Sequence, residues 1–123
     1  ELRLLEYGQR LNQMRRTILA GDEMPSVGEN LLRGALEGGS QALGINAGAI
    51  AVGKRADLLV IDDQNTHLYG KTESSLLDSW IFACDSNPVK DVMVNGNWVI
   101  RDGQHEQQDA VGARFRRAMD NIL

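Results

Sequence analysis

The short aliphatic run Leu58-Leu59-Val60-Ile61 most constrains what this chain of 123 residues can fold into. The segment Gly53-Lys54-Arg55 precedes it and predicts a turn, because Gly53 adopts a positive φ without strain. Asp62 and Asp63 close the run. An unbroken apolar run of this length that contains Val and Ile predicts a strand buried on both faces of a sheet. We therefore expect a central strand over residues 57–61.

A second strand signal lies near the C-terminus, where two apolar segments flank Asn95-Gly96. Asn-Gly favours a two-residue type I′ hairpin because both of its central residues need positive φ. The helical pattern between the two strand signals leaves room for a right-handed parallel crossover. The sequence thus predicts that Asp57–Ile61 and Lys90–Val94 pair in parallel, that Asn97–Arg101 adds antiparallel, and that Asp102-Gly103 closes the last strand.

Helical periodicity dominates the chain before Gly44. The spacing of three and four residues within an apolar stripe predicts a first helix over residues 1–20 that stops at Gly21. Ser26 and Glu29 have the spacing of a capping box and predict the start of a second helix. Gly38-Gly39 is expected to end this helix or to loosen its last turn, before a short further helical stretch to Leu43. The stripe of the first helix consists of Leu4, Tyr7, Leu11, Met14 and Ile18, and the buried face of the second of Val27, Leu31, Ala35 and Leu36.

Two more helices and two loops complete the expected organisation. Ser74 or Ser75 is expected to cap a third helix, and residues 106–123 form a last amphipathic helix with apolar residues at helical spacing. The segments 44–53 and 62–72 predict loops, the second of them exposed. With a single small sheet and these helices, the expected fold class is α/β, or α+β for the chain taken as an isolated fragment.

Composition excludes several classes of function. Thirteen Lys and Arg against seventeen Asp and Glu give a net charge of −4, which disfavours a nonspecific nucleic-acid binder. The single cysteine, Cys84, forms no internal disulfide and fits a reducing, cytoplasmic compartment. No segment has the length of apolar residues that a membrane span needs, and no signal peptide is evident. Because the chain starts at Glu1 rather than at Met, we expect a fragment, a processed chain or a sequence that lacks its true start.

A search for catalytic groups finds no constellation. His67 and His105 lie far apart in predicted loops, without a metal-ligand spacing. Cys84 follows an apolar helix and is expected to be a small buried residue rather than a nucleophile. The sequence therefore predicts no catalytic and no metal-binding residue in this chain, and it leaves substrate-binding residues unknown. The other polar and aromatic candidates are expected to cap turns or face water (Asp62, Asp63, Asp102), fill the core (Trp80, Trp98) or lie on a solvated helix face (Arg114, Arg116, Arg117).

Two motifs together resemble a known family. The first is Gly48-Ala-Ile-Ala-Val-Gly-Lys-Arg-Ala-Asp-Leu-Leu-Val-Ile-Asp62, and the second is Val92-Met-Val-Asn-Gly-Asn-Trp-Val-Ile-Arg-Asp-Gly103. They resemble the C-terminal part of the metal-dependent amidohydrolase superfamily. The segments Glu1–Leu11, Leu77–Phe82 and Ser86–Val92 make the chain similar to the formimidoylglutamate deiminase branch of that superfamily.

The resemblance implies a (β/α)8 barrel flanked by a small β-sandwich. Residues 1–47 would be the last barrel helices, residues 48–103 the C-terminal part of the sandwich, and residues 104–123 a C-terminal helix. It also implies a zinc-dependent, cytoplasmic enzyme, expected to be a homodimer, that deiminates the small molecule N-formimino-L-glutamate in histidine degradation. The family's metal ligands have no counterpart here, so this chain alone is expected to bind no zinc and to be inactive.

Two alternatives remain open beside that reading. One is a related deaminase or chlorohydrolase-like amidohydrolase with another substrate, and the other is a structural module without catalysis. If the chain is a fragment, the apolar stripe of the first helix lacks its cover. We then expect association through that stripe or marginal stability.

Overall fold

The structure, a computed structural model, describes residues 1–122, with Ser74 described by its backbone alone. It divides into two compact units that share the chain. The first unit comprises Glu1–Arg55 and Asp62–Pro88, and the second comprises Ala56–Ile61 and the described residues from Val89 onward. No helix among the described residues is both long and apolar enough to cross a membrane.

The first helix, α1, covers Leu2–Gln13 and is shorter than the sequence predicts. It ends at Met14, whose φ of 51° is left-handed, rather than at Gly21. The chain turns back because the carboxylate of Glu6 accepts hydrogen bonds from the N–H groups of the segment that follows, at Ile18 and Leu19. A helix that continued to residue 20 would carry these donors away from Glu6.

The predicted apolar stripe of α1 does not form a buried face. Leu4, Leu11 and Met14 are 71%, 77% and 87% exposed, whereas the side chain of Glu6 is completely buried. The stripe is therefore uncovered among the described residues, and the expected association or marginal stability stays a prediction.

The second helix, α2, covers Val27–Leu43 and begins as predicted. The hydroxyl of Ser26 accepts the N–H of Glu29 at 3.0 Å, whereas the carboxylate of Glu29 pairs with Arg33. Gly44 ends the helix with a left-handed φ of 64°. The buried face is confined to the start of the helix, since Val27 and Leu31 are buried but the predicted Ala35 and Leu36 are exposed.

The third helix, α3, covers Glu73–Phe82 and is capped at Thr72, two positions before Ser74 and three before Ser75, so the predicted cap position is wrong. The hydroxyl of Ser75 takes part from inside the first turn, since it accepts the N–H of Thr72 at 3.2 Å and donates to its carbonyl oxygen at 2.6 Å. The side chain of Ser74, the other predicted cap, lies outside the described residues. The loop before α3 is mostly exposed as predicted, but it places Leu68 in the core with 1% exposure.

The second unit contains a sheet of four strands, which are β1 at Leu58–Ile61, β2 at Val89–Val94, β3 at Asn97–Arg101 and β4 at Gln104–His105. They lie side by side in the order β1-β2-β3-β4. All three pairings are antiparallel, so the predicted parallel pairing is wrong. β1 does lie beside β2, as predicted, with Leu59 opposite Val92.

The orientation of β1 and β2 follows from the path of the chain between them. The segment that connects them, residues 62–88, includes α3 and belongs to the first unit. The N–H of Asp62 donates to the carbonyl oxygen of Pro88 at 2.8 Å, which holds the two ends of this excursion together. The chain thus leaves β1 and enters β2 at the same end of the sheet, and the two strands must run in opposite directions.

The expectation that β1 is buried on both faces is also wrong for this chain. Leu59 and Val60 are 54% and 37% exposed, and β1 is an edge strand with one neighbour among the described residues. The uninterrupted aliphatic run predicted the strand correctly, but it did not predict that both faces of the strand are partly exposed.

Both hairpin turns of the sheet consist of a pair of left-handed residues. Asn95 and Gly96 have φ values of 49° and 80°, as the type I′ prediction requires. Asp102 and Gly103 have φ values of 48° and 76°, so they form a second hairpin instead of ending the last strand.

The last helix, α4, covers Gln108–Asp120, within the predicted range of 106–123, of which Leu123 lies outside the described residues. Its apolar residues Val111 and Phe115 are exposed, and so is Ile122, which was predicted to belong to the same helix but follows its end. Helices together with an antiparallel sheet give a mixed α and β fold, in agreement with the predicted class.

Candidate functional site

The two histidines have local partners. His67 lies in the loop before α3, where its Nε2 is 3.5 Å from Oδ1 of Asp85, and both side chains are exposed. His105 lies in β4 rather than in the predicted loop, and its Nδ1 accepts the N–H of Gln107 at 3.1 Å. Within residues 1–122, no group of three or more His, Cys, Asp or Glu side chains is placed to hold a metal ion.

Cys84 is buried just after α3 and has an unreactive environment. Burial raises the pKa of its thiol, the charge of Asp85 raises it further, and Arg3 lowers it by less. The thiol therefore stays protonated at neutral pH, whereas a nucleophilic cysteine needs a thiolate. Arg3 contacts the backbone here, donating to the carbonyl oxygens of Cys84 at 2.7 Å and Ile81 at 2.8 Å.

The carboxylates at the predicted turns have different contacts. Oδ1 of Asp62 accepts the N–H of Gln64 at 3.0 Å, and Oδ1 of Asp63 accepts from the side chain of the same residue at 3.1 Å, so both act within their turn. Oδ1 of Asp102 lies 3.5 Å from Nζ of Lys90 in β2, and both of these side chains are exposed.

The most elaborate polar cluster surrounds Glu6, which the sequence analysis missed. One carboxylate oxygen accepts from Nε of Arg10 at 2.7 Å and from the N–H of Ile18 at 2.9 Å, and the other accepts the N–H of Leu19 at 3.1 Å. The guanidinium of Arg10 also stacks over the rings of Tyr7 and Phe82, at 5.4 and 5.7 Å.

This environment decides the protonation of Glu6. Burial by itself raises the pKa of the carboxyl group, but the hydrogen bonds from Arg10, Ile18 and Leu19 and the charge of Arg10 outweigh burial and lower the pKa. A carboxylate that is ionised, buried and fully hydrogen-bonded holds backbone in place and has no access to a substrate proton. The i, i+4 spacing of Glu6 and Arg10 was the one local signal for the cluster.

A second missed carboxylate, Asp78, holds the start of α2. Its Oδ1 accepts the N–H of Gly28 at 2.6 Å, where a carboxylate is favoured by the positive end of the helix dipole. A Cβ added at Gly28 would lie 2.8 Å from backbone atoms of Leu77 and Asp78, so glycine is required for this approach of α2 to α3.

The two tryptophans have different surroundings. Trp98 is 41% exposed on the sheet, and the guanidinium of Arg101 stacks over its ring at 4.5 Å. Trp80 is half-buried and lines an open cavity of about 470 Å³ with the first residues of α1. Neither environment is the fully buried core that the sequence predicts.

A further open cavity of about 660 Å³ lies at the C-terminal end of α2, within the first unit. Its hydroxyl, Ser40 Oγ, is engaged by the carbonyl oxygens of Ile45 and Ala47 at 2.6 and 3.3 Å. The predicted solvent-facing residues Arg114, Arg116 and Arg117 are exposed on α4. The described residues thus show backbone-holding carboxylates and turn contacts, and the absence of catalytic residues from this chain stays a prediction.

Comparison with known proteins gives consistent matches. The sequence model of the Amidohydrolase family matches residues 3–99. Formimidoylglutamate deiminase from Pseudomonas aeruginosa is 45% identical over all 123 residues, which cover 27% of its length. A 5-methylthioadenosine/S-adenosylhomocysteine deaminase from Pyrococcus abyssi is 34% identical over 77% of this chain and 22% of its own length. The chain therefore spans about a quarter of the length of these curated relatives.

Solved structures agree with the sequence matches. An amidohydrolase from Brucella melitensis superimposes with a TM-score of 0.80 at 34% identity, over 99% of this chain and 26% of that one. An adenosine deaminase from Xanthomonas campestris with bound zinc gives a TM-score of 0.74 at 27% identity, over 99% of this chain and 27% of that one.

Proposed function

This chain belongs to the amidohydrolase family, and from that premise we propose that it is part of an enzyme that hydrolyses N-formimino-L-glutamate to N-formyl-L-glutamate and ammonia. The observation that carries the proposal is the 45% identity to a formimidoylglutamate deiminase over the whole chain. The reaction replaces an imino nitrogen by oxygen, with water as the nucleophile and ammonia as the leaving group. We place it in the cytoplasm, in histidine degradation, and expect a homodimer.

The role of this chain within such an enzyme is structural. We propose that residues 1–47 supply the last helices of a (β/α)8 barrel, residues 48–103 the C-terminal part of the flanking sandwich, and residues 104–123 a C-terminal helix. The Glu6 cluster and the Gly28–Asp78 contact support this proposal, because both fix helices and neither offers a free reactive group.

Zinc use is part of the proposal for the complete enzyme, since one structural neighbour carries bound zinc. The described residues of this chain do not fit a zinc centre, because no three suitable side chains converge among them. We therefore assign no metal ligand within residues 1–122 and derive no step through the metal.

A second candidate is the deamination of a nucleoside. It is favoured by the 34% identity to a 5-methylthioadenosine/S-adenosylhomocysteine deaminase, which extends over 77% of the chain. The lower identity and the shorter match rank it behind the deiminase. A third candidate, a module without catalysis, agrees with the residues described here but gives no reason for the length of the family match.

The test is ammonia release by the complete protein, purified with its metal, from N-formimino-L-glutamate and from 5′-methylthioadenosine in parallel. Release from the first compound alone supports the deiminase, release from the nucleoside alone supports the second candidate, and release from neither supports the third. The 123-residue chain assayed alone is the control. Turnover by that chain would contradict its assignment as a structural part.

A further inference from the structure

The two hairpin turns of the sheet share one arrangement of hydrogen bonds, defined here as a turn clamp. In each turn a glycine follows an Asn or Asp, and both residues are left-handed. The N–H of Gly96 donates to the carbonyl oxygen of Ala56 at 2.9 Å, and the N–H of Gly103 donates to the carbonyl oxygen of Lys90 at 2.7 Å. In each case the acceptor comes from the neighbouring strand or from the residues that lead into it.

The residue after each acceptor is an aspartate that completes the clamp. Oδ1 of Asp57 accepts the N–H of Asn95 at 2.8 Å. Oδ1 of Asp91 accepts the N–H of Asp102, also at 2.8 Å. An Xaa-Asp dipeptide thus binds both N–H groups of the turn beside it, one through its carbonyl oxygen and one through its carboxylate.

This arrangement engages the atom that makes Asn-Gly sequences chemically labile. In deamidation the backbone nitrogen of the glycine loses its proton and attacks Cγ of the preceding asparagine. The new C–N bond closes a succinimide ring, and the side-chain nitrogen leaves as ammonia. Water then opens the ring to aspartate or isoaspartate. The reaction needs no oxidant or reductant.

Asn95 is the residue most exposed to this chemistry by its sequence context. It is solvent-exposed and followed by glycine, which has no side chain to hinder the attack. Larger residues or proline follow every other asparagine of the chain, namely Asn12, Asn30, Asn46, Asn65, Asn87, Asn97 and Asn121.

We propose that Asn95 is a site of spontaneous deamidation, and that the Ala56–Asp57 clamp sets its rate by withholding the N–H of Gly96. While the clamp is closed, the Gly96 nitrogen donates to Ala56 and is held away from ring closure. Reaction proceeds through the fraction of molecules in which the clamp is open. Either product adds a negative charge to a turn whose two residues fix the register of β2 and β3, and isoaspartate also inserts a methylene group into the main chain.

The experiment follows Asn95 in the complete protein by peptide mapping with mass spectrometry during incubation at mildly alkaline pH. It compares the wild type, Asp57→Ala, and the wild type unfolded in urea. We expect the slowest conversion in the folded wild type and the fastest in urea. Asp57→Ala should accelerate conversion about fivefold, the change in open fraction when one hydrogen bond to a carboxylate is lost.

Asp91→Ala is the matched control, because it removes the same group from the other clamp. It should leave the conversion of Asn95 unchanged. Equal rates in the folded and the unfolded wild type, or equal effects of the two substitutions, would overturn the proposal. Hydrogen exchange of the Gly96 amide gives a second readout on the folded wild type alone, since rapid exchange there would show that no clamp withholds this proton.

Discussion

A carboxylate binds backbone N–H groups in each of the two units, but in opposite surroundings. Glu6 in the helical unit is completely buried and accepts from two consecutive N–H groups and from Arg10. Asp57 in the sheet unit is exposed and accepts the N–H of Asn95 from solvent-facing positions. Both carboxylates accept hydrogen bonds from backbone N–H groups, so they differ mainly in whether water can reach those N–H groups when the carboxylate is removed.

That difference determines how much each carboxylate contributes to stability. When an exposed carboxylate is removed, water takes over the released N–H group and the loss is small. When a buried one is removed, the donors that it satisfied stay buried and unpaired, which costs far more. We therefore expect a steep gradient of effects from Glu6 to Asp57.

The largest effect is expected for Glu6→Ala. It leaves the N–H groups of Ile18 and Leu19 without their acceptor and Arg10 without its charge partner. The free energy of unfolding should fall by about 3 kcal/mol, measured by urea denaturation. Glu29→Ala is the matched control, since it breaks an exposed i, i+4 pair with Arg33 and should cost less than about 1 kcal/mol. Similar losses for the two variants would contradict the assigned weight of burial.

Gly28→Ala tests the third carboxylate contact, which lies between these extremes. The new Cβ would meet backbone atoms of Leu77 and Asp78 at 2.8 Å, so α2 and α3 must move apart and the bond from Gly28 to Asp78 lengthens. We expect a loss of about 2 kcal/mol in thermal or urea unfolding. Gly34→Ala, in the same helix with nothing within 4 Å of the new Cβ, should be neutral or stabilising. Equal effects of the two substitutions would exclude the close approach.

Acid should weaken the Glu6 cluster in a defined direction. The pKa of this carboxyl is lower in the folded chain than in the unfolded one, because the bonds from Arg10, Ile18 and Leu19 outweigh its burial. Its contribution to stability is therefore complete above the unfolded pKa of about 4.3 and is lost as the pH falls through the lower folded value. Urea denaturation from pH 7 to acid should show that Glu6→Gln removes this part of the pH dependence. An unchanged acid slope in the variant would rule out the assignment.

Among the carboxylates that accept backbone N–H groups, the smallest effect is expected for Asp57→Ala, which should lower the free energy of unfolding by about 1 kcal/mol. Asp91→Ala removes the equivalent bond to Asp102 and provides the comparison. If the loss of unfolding free energy in either variant approached that of Glu6→Ala, solvent exposure would not explain the difference between the carboxylates of the two units.

The parts of the fold that the sequence predicted depend on short-range chemistry. The Asn95-Gly96 turn follows from two residues that tolerate positive φ, and the start of α2 from Ser26. The family membership rests on motifs that span these same local features. The second hairpin at Asp102-Gly103 carried the same kind of signal, but its brief β4 gave no strand pattern to pair with it.

The parts that the sequence missed depend on contacts between distant residues. Nothing in the helical pattern of residues 1–20 shows that Glu6 takes the N–H groups of Ile18 and Leu19, and that contact ends α1 early. The strand–helix–strand order was compatible with a parallel crossover, and the antiparallel pairing of β1 with β2 excludes it. That this chain contributes no catalytic residue stays a prediction, because the chain spans only about a quarter of the length of its relatives.

The hydrogen bond between Asp62 and Pro88 has a consequence for the order of folding. The Asp57–Asn95 contact closes a loop of 38 residues, and the Asp91–Asp102 contact closes one of 11. The entropic free energy of loop closure is therefore about 1 kcal/mol higher for the pairing of β1 with β2 than for the hairpins of β2, β3 and β4. Once residues 62–88 have folded and joined their ends, the long loop becomes a short one and that penalty largely disappears. The sheet can thus grow early from β2, β3 and β4, whereas the addition of β1 awaits the folding of a segment in the other unit.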